Sequence, residues 1–213
     1  MIKGIDVSSY QAETYATTGL DFVFVKATEG TSYINPKMGR QAATGRAAGL
    51  ALGFYHFLHP GNIKAQAAYF VDRCASVAGD MLVCDWETTA SGGRPTNAEK
   101  DDFLREVKRL RPGHKVGLYC NRDYWLTRDR TSYCADFLWI ADPGTAGKPR
   151  IKHPWTFHQH SITAGMDRDV ANFGTRAELR AWAGGAPAPR PVPTTEQRLA
   201  ALEKRVTALE KRK

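Results

Sequence analysis

Short apolar runs alternate with helical patterns along most of this chain, and this alternation restricts the folds it can adopt. An apolar run between turn signals is typical of a buried strand, and apolar residues three or four apart are typical of a helix. Repeated strand–helix units predict a parallel sheet with crossover helices. The predicted strands are residues 2–7, 22–27, 50–58, 81–84, 115–120, 137–141, 155–160 and one around residue 169. The predicted helices are about residues 36–48, 63–77, 97–110 and 175–182.

The number of predicted strands favours a closed barrel over an open sheet. A chain of 213 residues is shorter than a full eightfold barrel usually needs, and the helical patterns stop after the fifth strand. We therefore expect an α/β fold of the reduced barrel type. A doubly wound open sheet is the alternative, although the chain lacks the Gly-rich phosphate loop that such sheets often carry.

The strand at residues 81–84 is followed by two acids, Asp85 and Glu87. Alternate residues of a strand face the same side, so the two carboxylates are predicted to point the same way. Repulsion and lost hydration raise at least one pKa, which suits a general acid near neutral pH. The alternative is an exposed loop in which both acids are merely solvated. Other candidates at predicted strand ends, where barrel active sites lie, are Asp6, Glu29, Tyr55, His56 and Tyr119.

Seven short segments then carry a resemblance: Gly4–Gln11, Phe24–Gly30, Gly53–Phe57, Asp85–Glu87, Gly117–Tyr119, Leu138–Ala141 and Asp169–Gly174. Together they resemble glycoside hydrolase family 25, the N-acetylmuramidases of the Chalaropsis-lysozyme type, which are common among phage endolysins. The resemblance implies a flattened, TIM-like barrel, (β/α)5(β)3. It also implies cleavage of the β-1,4 bond between N-acetylmuramic acid and N-acetylglucosamine in bacterial peptidoglycan. It implies no cofactor and no metal.

The resemblance also assigns roles to individual residues. Glu87 matches the general acid that protonates the leaving oxygen. Asp85 matches the carboxylate that stabilises developing positive charge or orients the substrate's N-acetyl group. Asp6 and Asp169 complete the catalytic cluster. The residues expected to contact substrate are Glu29, Tyr55, Tyr119, Trp139 and Gln159.

Several of these residues have structural alternatives that the sequence leaves open. Asp6 could cap the segment that follows it, and Glu29 could be a turn acid. The aromatic residues could belong to the core. The histidines His56, His158 and His160 are more typical of internal hydrogen bonding than of catalysis.

The last family motif is ambiguous in this chain, because Asp167 and Asp169 compete for one role. Family members commonly have Asp-x-Asn here, and Asn172 is out of step with that pattern by one residue. We favour Asp169, since Phe173–Gly174 then falls where the family has an aromatic residue and a glycine.

The composition and charge of the chain restrict the classes of partner that it is expected to bind. The net charge is +8, but residues 186–213 contribute seven Lys or Arg against three Glu, and no nucleic-acid-binding signature accompanies them. We therefore expect no nucleic-acid partner, and a basic surface also suits an anionic wall polymer. No apolar run is long enough to cross a membrane. A strand pattern begins at residue 2, so we expect no signal peptide, synthesis in the host cytoplasm, and action on the wall after release. The four cysteines are predicted to be buried thiols.

The chain is predicted to divide into a catalytic barrel at residues 1–183, a Pro-rich linker at 184–195 and a short amphipathic helix at 196–213. The last segment contains two heptads with Leu199 and Val206 at position a and Leu202 and Leu209 at d. Two heptads are fewer than a secure coiled coil needs, so a homo-oligomer, a fraying tail and a wall-targeting peptide all stay open.

Three functions are consistent with the sequence. The first is a muramidase, which acts by direct displacement, by inversion or, as we favour, with assistance from the substrate's own acetamido group. The second is a barrel that binds wall glycan without cleaving it. The third is an assembly protein that uses the C-terminal coil.

Overall fold

The computed structural model describes residues 1–184. Its nine strands are β1 Ile2–Val7, β2 Phe22–Glu29, β3 Tyr33–Ile34, β4 Ala51–Phe57, β5 Met81–Asp85, β6 Lys115–Asn121, β7 Phe137–Ala141, β8 Phe157–Thr163 and β9 Met166–Ala171. The helices are α1 Met38–Ala47, α2 Ile63–Arg73, α3 Asn97–Leu110 and α4 Arg176–Trp182, with a π-helical segment at Tyr124–Arg128. The predicted linker and heptad segment lie, apart from Gly184, outside the described residues.

Eight of these strands close into a barrel, which confirms the predicted fold. The hydrogen-bonded order is β1-β9-β8-β7-β6-β5-β4-β2, and β1 pairs with β2 to close the ring. The two-residue strand β3 pairs with the outer end of β2. Neighbouring strands run parallel except for β9, which is antiparallel to both β8 and β1.

A tight hairpin explains the reversed direction of β9. Thr163 pairs with Met166, and only Ala164 and Gly165 lie between them. Both have positive φ, 52° and 71°, which is the conformation of the two-residue turns that join antiparallel strands. An antiparallel strand needs no crossover helix, so the barrel closes with a shorter chain.

The helices differ in detail from the sequence predictions. In the described residues, helical crossovers follow β2, β4 and β5, whereas the chain between β1 and β2 is irregular and a single π-helical segment follows β6. Helix α1 begins at Met38, because the Asn35 side chain accepts a hydrogen bond from the backbone N–H of Lys37 and forms a turn. Helix α2 ends at Arg73, and Cys74 is extended.

A capping box begins helix α3. Thr96 Oγ1 accepts from the backbone N–H of Glu99, and the Glu99 carboxylate accepts from the N–H of Thr96. Such a cap typically stabilises a helix by about 1 kcal/mol. It fixes the start of α3 at Asn97, twelve residues after Asp85 at the end of β5.

Aromatic side chains fill the barrel interior below the carboxyl ends of the strands. Phe24 stacks on Trp139 with ring centroids 4.3 Å apart, and Phe157 meets the Phe24 ring edge-on at 4.9 Å. Glycines on neighbouring strands make room for these rings: a Cβ at Gly53 would lie 2.2 Å from the Phe24 ring, and one at Gly117 2.4 Å from the Phe137 ring. The interior is therefore a packed floor and not a channel.

The cysteine prediction holds in part. Cys84 and Cys120 are buried, whereas Cys74 and Cys134 are half-buried, and all four are free thiols. Among the helices at residues 1–184, none has the length and apolar character that crossing a membrane requires.

Candidate active site

A cleft opens at the carboxyl ends of the barrel strands, directly above the aromatic floor. Its cavity has a volume of about 250 Å³, and each of the eight barrel strands supplies a lining side chain or leads directly into one. Seven of the nine predicted site residues line it. The lining consists of Asp6, Ser8, Tyr10, Gln11, Lys26, Tyr55, Phe57, Asp85, Glu87, Tyr119, Trp139, Gln159 and Asp167.

Strand register brings these side chains to one level. Asp85 of β5 pairs with Tyr119 of β6, which pairs with Trp139 of β7. On the other side, Asp6 of β1 pairs with Asp167 of β9. Paired residues on neighbouring strands face the same side of the sheet, so the ring of strands collects residues that are far apart in sequence around one cavity.

A chain of hydrogen bonds fixes one wall of the cleft. The Tyr119 hydroxyl donates to Gln159 Oε1 at 2.9 Å, and Gln159 Nε2 donates to Asp6 Oδ2 at 2.7 Å. The chain thus connects β6, β8 and β1. Its effect is to hold the Asp6 carboxyl in one orientation.

Asp85 and Glu87 lie in the same cavity, as their spacing predicts. Burial raises the pKa of Asp85 well above its usual range, the neighbouring Glu87 charge raises it further, and Lys26 opposes the rise. Burial also raises the pKa of Glu87, while the Tyr119 hydroxyl and Lys26 lower it. Asp85 Oδ1 is buried without a hydrogen-bond partner among the described residues. The pair therefore retains a proton at a higher pH than two solvated acids would.

Asp6 and Asp169 form a second acidic pair. Burial, followed by repulsion from Asp167, raises the pKa of Asp6 to about 7, although the Gln159 hydrogen bond opposes the rise. Burial and the charge of Asp6 raise the pKa of Asp169 well above its usual range. Asp169 Oδ1 accepts from Trp139 Nε1 at 2.8 Å, whereas Oδ2 has no donor among the described residues. The protonation of Asp6 and that of Asp169 are therefore coupled.

The structure places Asp167 and Asp169 at different depths on β9. Asp167 lines the cleft, and burial raises its pKa. Asp169 is 1% exposed and lies below the cleft wall between Trp139 and Asp6. Both acids thus belong to the cluster, but only Asp167 is in a position to touch a ligand. A catalytic role for Asp169 stays a prediction, and from this position it would act through Asp6.

Glu29 is separated from the other predicted site residues. It lines a neighbouring depression at the end of β2 and not the central cleft. Its carboxylate accepts from Lys26 Nζ at 2.6 Å and contacts His59 Nε2 at 2.9 Å. Burial would raise the pKa of Glu29, but these two partners outweigh it and lower the pKa. Lys26, which does line the cleft, is thereby held in place by Glu29.

The sequence interpretation missed several cleft residues. Tyr10 is 93% exposed on the rim of the cavity, an unusual position for an aromatic side chain, and Lys26 brings a positive charge to an acidic site. Lys26 sits over the Phe57 ring, with Nζ 4.9 Å from its centre. Tyr10 and Lys26 lie within two of the segments that resemble the family, close in sequence to acidic residues. That proximity could have been used to predict both as cleft residues.

Two histidines have the structural role that the alternative interpretation predicts. His56 is buried between Thr28 Oγ1, at 2.8 Å, and Gln66 Oε1, at 3.2 Å, and burial lowers its pKa to about 3. His158 Nε2 donates to the carbonyl of Asp142 at 2.8 Å. Over residues 1–184 there is also no group of three His, Cys, Asp or Glu side chains arranged to hold a metal ion.

A closed β/α barrel with a carboxylate cluster and aromatic side chains in its upper cleft defines a protein of the barrel glycosidase class. Comparison with known families agrees: residues 5–167 match the model described as glycosyl hydrolases family 25. The chain belongs to that family, as its motifs suggest.

Individual relatives support this assignment. An N,O-diacetylmuramidase from a Chalaropsis species is 43% identical over 91 residues, which are 38% of this chain and 43% of the relative. Lysozyme M1 from Streptomyces globisporus is 29% identical over 194 residues, covering 79% of this chain. The chain spans 66% of the length of that lysozyme. The crystal structure of a bacterial lysozyme from Streptomyces coelicolor is 27% identical and superposes with a TM-score of 0.72, covering 86% of this chain and 97% of the other.

Proposed function

We propose that this protein is a peptidoglycan hydrolase that cleaves the β-1,4 bond between N-acetylmuramic acid and N-acetylglucosamine. The observation that carries the proposal is the pair Asp85, which is buried, and Glu87, which is half-buried, at the strand end in a cleft that also contains exposed aromatic surface. Most glycoside hydrolases use two carboxyl groups, one protonated and one ionised. We infer which bond is cleaved from membership of the family and from the names of the muramidase and lysozyme relatives.

Glu87 is the general acid in this proposal. It is less buried than Asp85 and stands just beyond the end of β5, where it meets the open cavity. Burial raises its pKa, which is the direction a general acid needs, and its position in the open cavity lets it donate a proton to the leaving oxygen. When Glu87 loses its proton, the repulsion on Asp85 rises, which couples the two groups during turnover.

Asp85 faces the substrate's reactive carbon in the same scheme. Asp85 lines the cleft, so its carboxyl group can accept the N–H of the 2-acetamido group or stabilise developing positive charge. We favour the first role, in which the acetamido oxygen attacks the anomeric carbon and Glu87 protonates the departing oxygen. Water, deprotonated by Glu87, then opens the resulting ring.

Substitution of the proposed acid tests this function. Glu87→Gln is isosteric, so the fold should persist while turnover on purified peptidoglycan falls roughly 10²–10⁴-fold. Glu13→Gln, at an exposed position outside the cleft, makes the same chemical change and should be neutral. Mass spectrometry should find muramic acid at the new reducing ends. Glucosamine at those ends would assign a different bond, and the absence of any fragments from the wild-type protein would favour a wall-binding barrel without catalysis.

A second pair of variants assigns the acid of β9. We expect Asp167→Asn to lower kcat/KM by direct loss of a cleft contact, and Asp169→Asn to shift the pH profile through Asp6. Steady-state kinetics of both variants over a range of pH separates these effects. A large loss of turnover in Asp169→Asn at every pH, with Asp167→Asn unaffected, would return the catalytic role to Asp169.

A further inference from the structure

A second, larger cavity of about 460 Å³ adjoins the catalytic cleft on the side of β5, β6 and β7. Thr88, the residue after Glu87, forms part of its wall. Asn121 and Ala141 also line it, and each lies two residues beyond a cleft residue on its strand, Tyr119 and Trp139. The two cavities are therefore neighbours along these strand ends, with Glu87 lining one and Thr88 the other, so a long ligand can reach from one toward the other.

Arginines dominate the charge of this second cavity. Four of its lining residues are arginines, at positions 94, 122, 128 and 150, against two aspartates at 123 and 142. Asp142 is only 3% exposed in its side chain and is already bound by Arg150 through a backbone N–H at 2.7 Å and Nε at 3.0 Å. The hydrogen bonds from Arg150 lower the pKa of Asp142, although burial opposes them. The charges of Arg150 and Asp142 cancel, so three arginines of the cavity remain outside this ion pair.

The remaining arginines have weak partners or none. Arg122 donates to the carbonyl of Arg150 at 3.2 Å, and the carboxylate it approaches is that of Asp123, at 3.7 Å, whose side chain is 86% exposed. Within residues 1–184, Arg94 and Arg128 have no carboxylate within 4.0 Å. The guanidinium of Arg128 lies over the Tyr124 ring, 5.3 Å from its centre, which restrains it at the cavity wall. A concave site with unneutralised guanidinium groups attracts anions and binds carboxylates through paired N–H donors.

We infer that this arginine cavity binds a carboxylate carried on the substituent of a muramic acid unit next to the bond being cleaved. The inference rests on the proposed function, because muramic acid is the sugar of that substrate that carries such a group. Its lactyl side chain ends in a carboxyl, which is either free or joined to a stem peptide with carboxylates of its own. Both sources offer the same chemistry to Arg94, Arg122 and Arg128. The cavity thus recognises the acidic side group, while the catalytic cleft holds the sugars.

Kinetics on three matched substrates test the inference in the full-length protein. The first is a soluble glycan fragment with stem peptides, the second is the same fragment with its stems removed by an amidase, and the third has all carboxylates converted to methylamides. The test variant is Arg94→Gln/Arg128→Gln, which removes no ion pair within the described residues. The control variant is Arg40→Gln/Arg73→Gln, which removes the same charge from exposed positions on α1 and α2.

We expect the test variant to lower kcat/KM roughly tenfold on the stem-bearing fragment, with no effect on the methylamide fragment. The difference should shrink in high salt. A loss confined to the first fragment identifies the carboxylates of the stem, a loss confined to the amidase-treated fragment identifies the free lactyl carboxylate, and a loss on both shows that either source is accepted. Equal effects on all three fragments, or equal effects of the test and control variants, would overturn the inference alone. Failure of the wild-type protein to cleave any fragment would overturn the proposed function as well.

Discussion

The Asp6 carboxyl offers a direct test of the electrostatics of the cleft through protein stability. Its pKa is raised from 3.8 to about 7, chiefly by burial and then by repulsion from Asp167. In the unfolded chain the group returns to its ordinary pKa, so the folded protein binds this proton more tightly. The resulting stabilisation is complete below about pH 4 and is lost as the pH rises through about 7.

The magnitude follows from the shift. About three pKa units at 1.36 kcal/mol each correspond to roughly 4 kcal/mol, which is an upper value because the acids of the cluster titrate together. Asp6→Asn replaces the carboxyl by a neutral group of the same shape that still accepts from Gln159. We therefore expect the free energy of unfolding of the variant to exceed that of the wild type by about 2–4 kcal/mol at pH 8. At pH 4 the two values should be nearly equal.

Thermal and urea unfolding at pH 4, 6 and 8 measure this difference. For a barrel of this size the gain at pH 8 corresponds to a rise in Tm of roughly 5–15 °C. Asp102→Asn, on the exposed surface of α3 with a side chain 67% exposed, is the matched control and should show no such pH dependence. If Asp6→Asn and wild type lost stability in parallel between pH 4 and pH 8, the buried proton could not reside on Asp6. The gain in stability of Asp6→Asn should be accompanied by a loss of activity, because the buried acid is part of the candidate active site.

Three further predictions concern the floor, the rim and the tail. Gly53→Ala should cost about 1–3 kcal/mol in thermal melts, because the new methyl would meet the Phe24 ring at 2.2 Å, whereas Gly113→Ala adds a methyl to open space and should change little. Tyr10→Ala should raise KM on glycan fragments roughly threefold to tenfold with little change in kcat, since an exposed ring on the rim contributes stacking area; an unchanged KM would remove Tyr10 from the binding surface. Deletion of residues 186–213 should leave turnover on soluble fragments unchanged, because the sequence predicts a Pro-rich linker between that segment and the barrel, and light scattering that finds a monomer before and after deletion would exclude a coiled coil.

The barrel and the position of its acids were accessible from sequence because both depend on local patterns. Apolar runs locate the strands, and the alternation of side chains predicts that Asp85 and Glu87 share a cavity, as they do. The capping box of α3 is likewise a pattern within four residues. Each of these features needs only the neighbours in the chain to specify it.

Depth and direction were harder to predict, because they depend on contacts between distant segments. Asp167 and Asp169 share a strand face, and the Trp139 indole together with Asp6 decides which one is covered. Glu29 stands at a strand end as predicted, yet Lys26 and His59 hold it outside the cleft. The arginine cavity escaped notice for the same reason, since its residues come from three separate loops.

The antiparallel direction of β9 decides where anything attached to the barrel must emerge. Ile2 pairs with Ala171 at the lower end of the barrel, four strand positions from the level at which Asp6 and Asp167 meet. Helix α4 then runs beneath the barrel, where Trp182 packs on Phe137 and Phe157 at the starts of their strands. A reporter or binding domain fused at residue 1 or after residue 184 would hang from the underside. The entrance of the cleft would stay unobstructed. A domain fused at either point could therefore anchor the protein with its cleft facing a flat, insoluble surface.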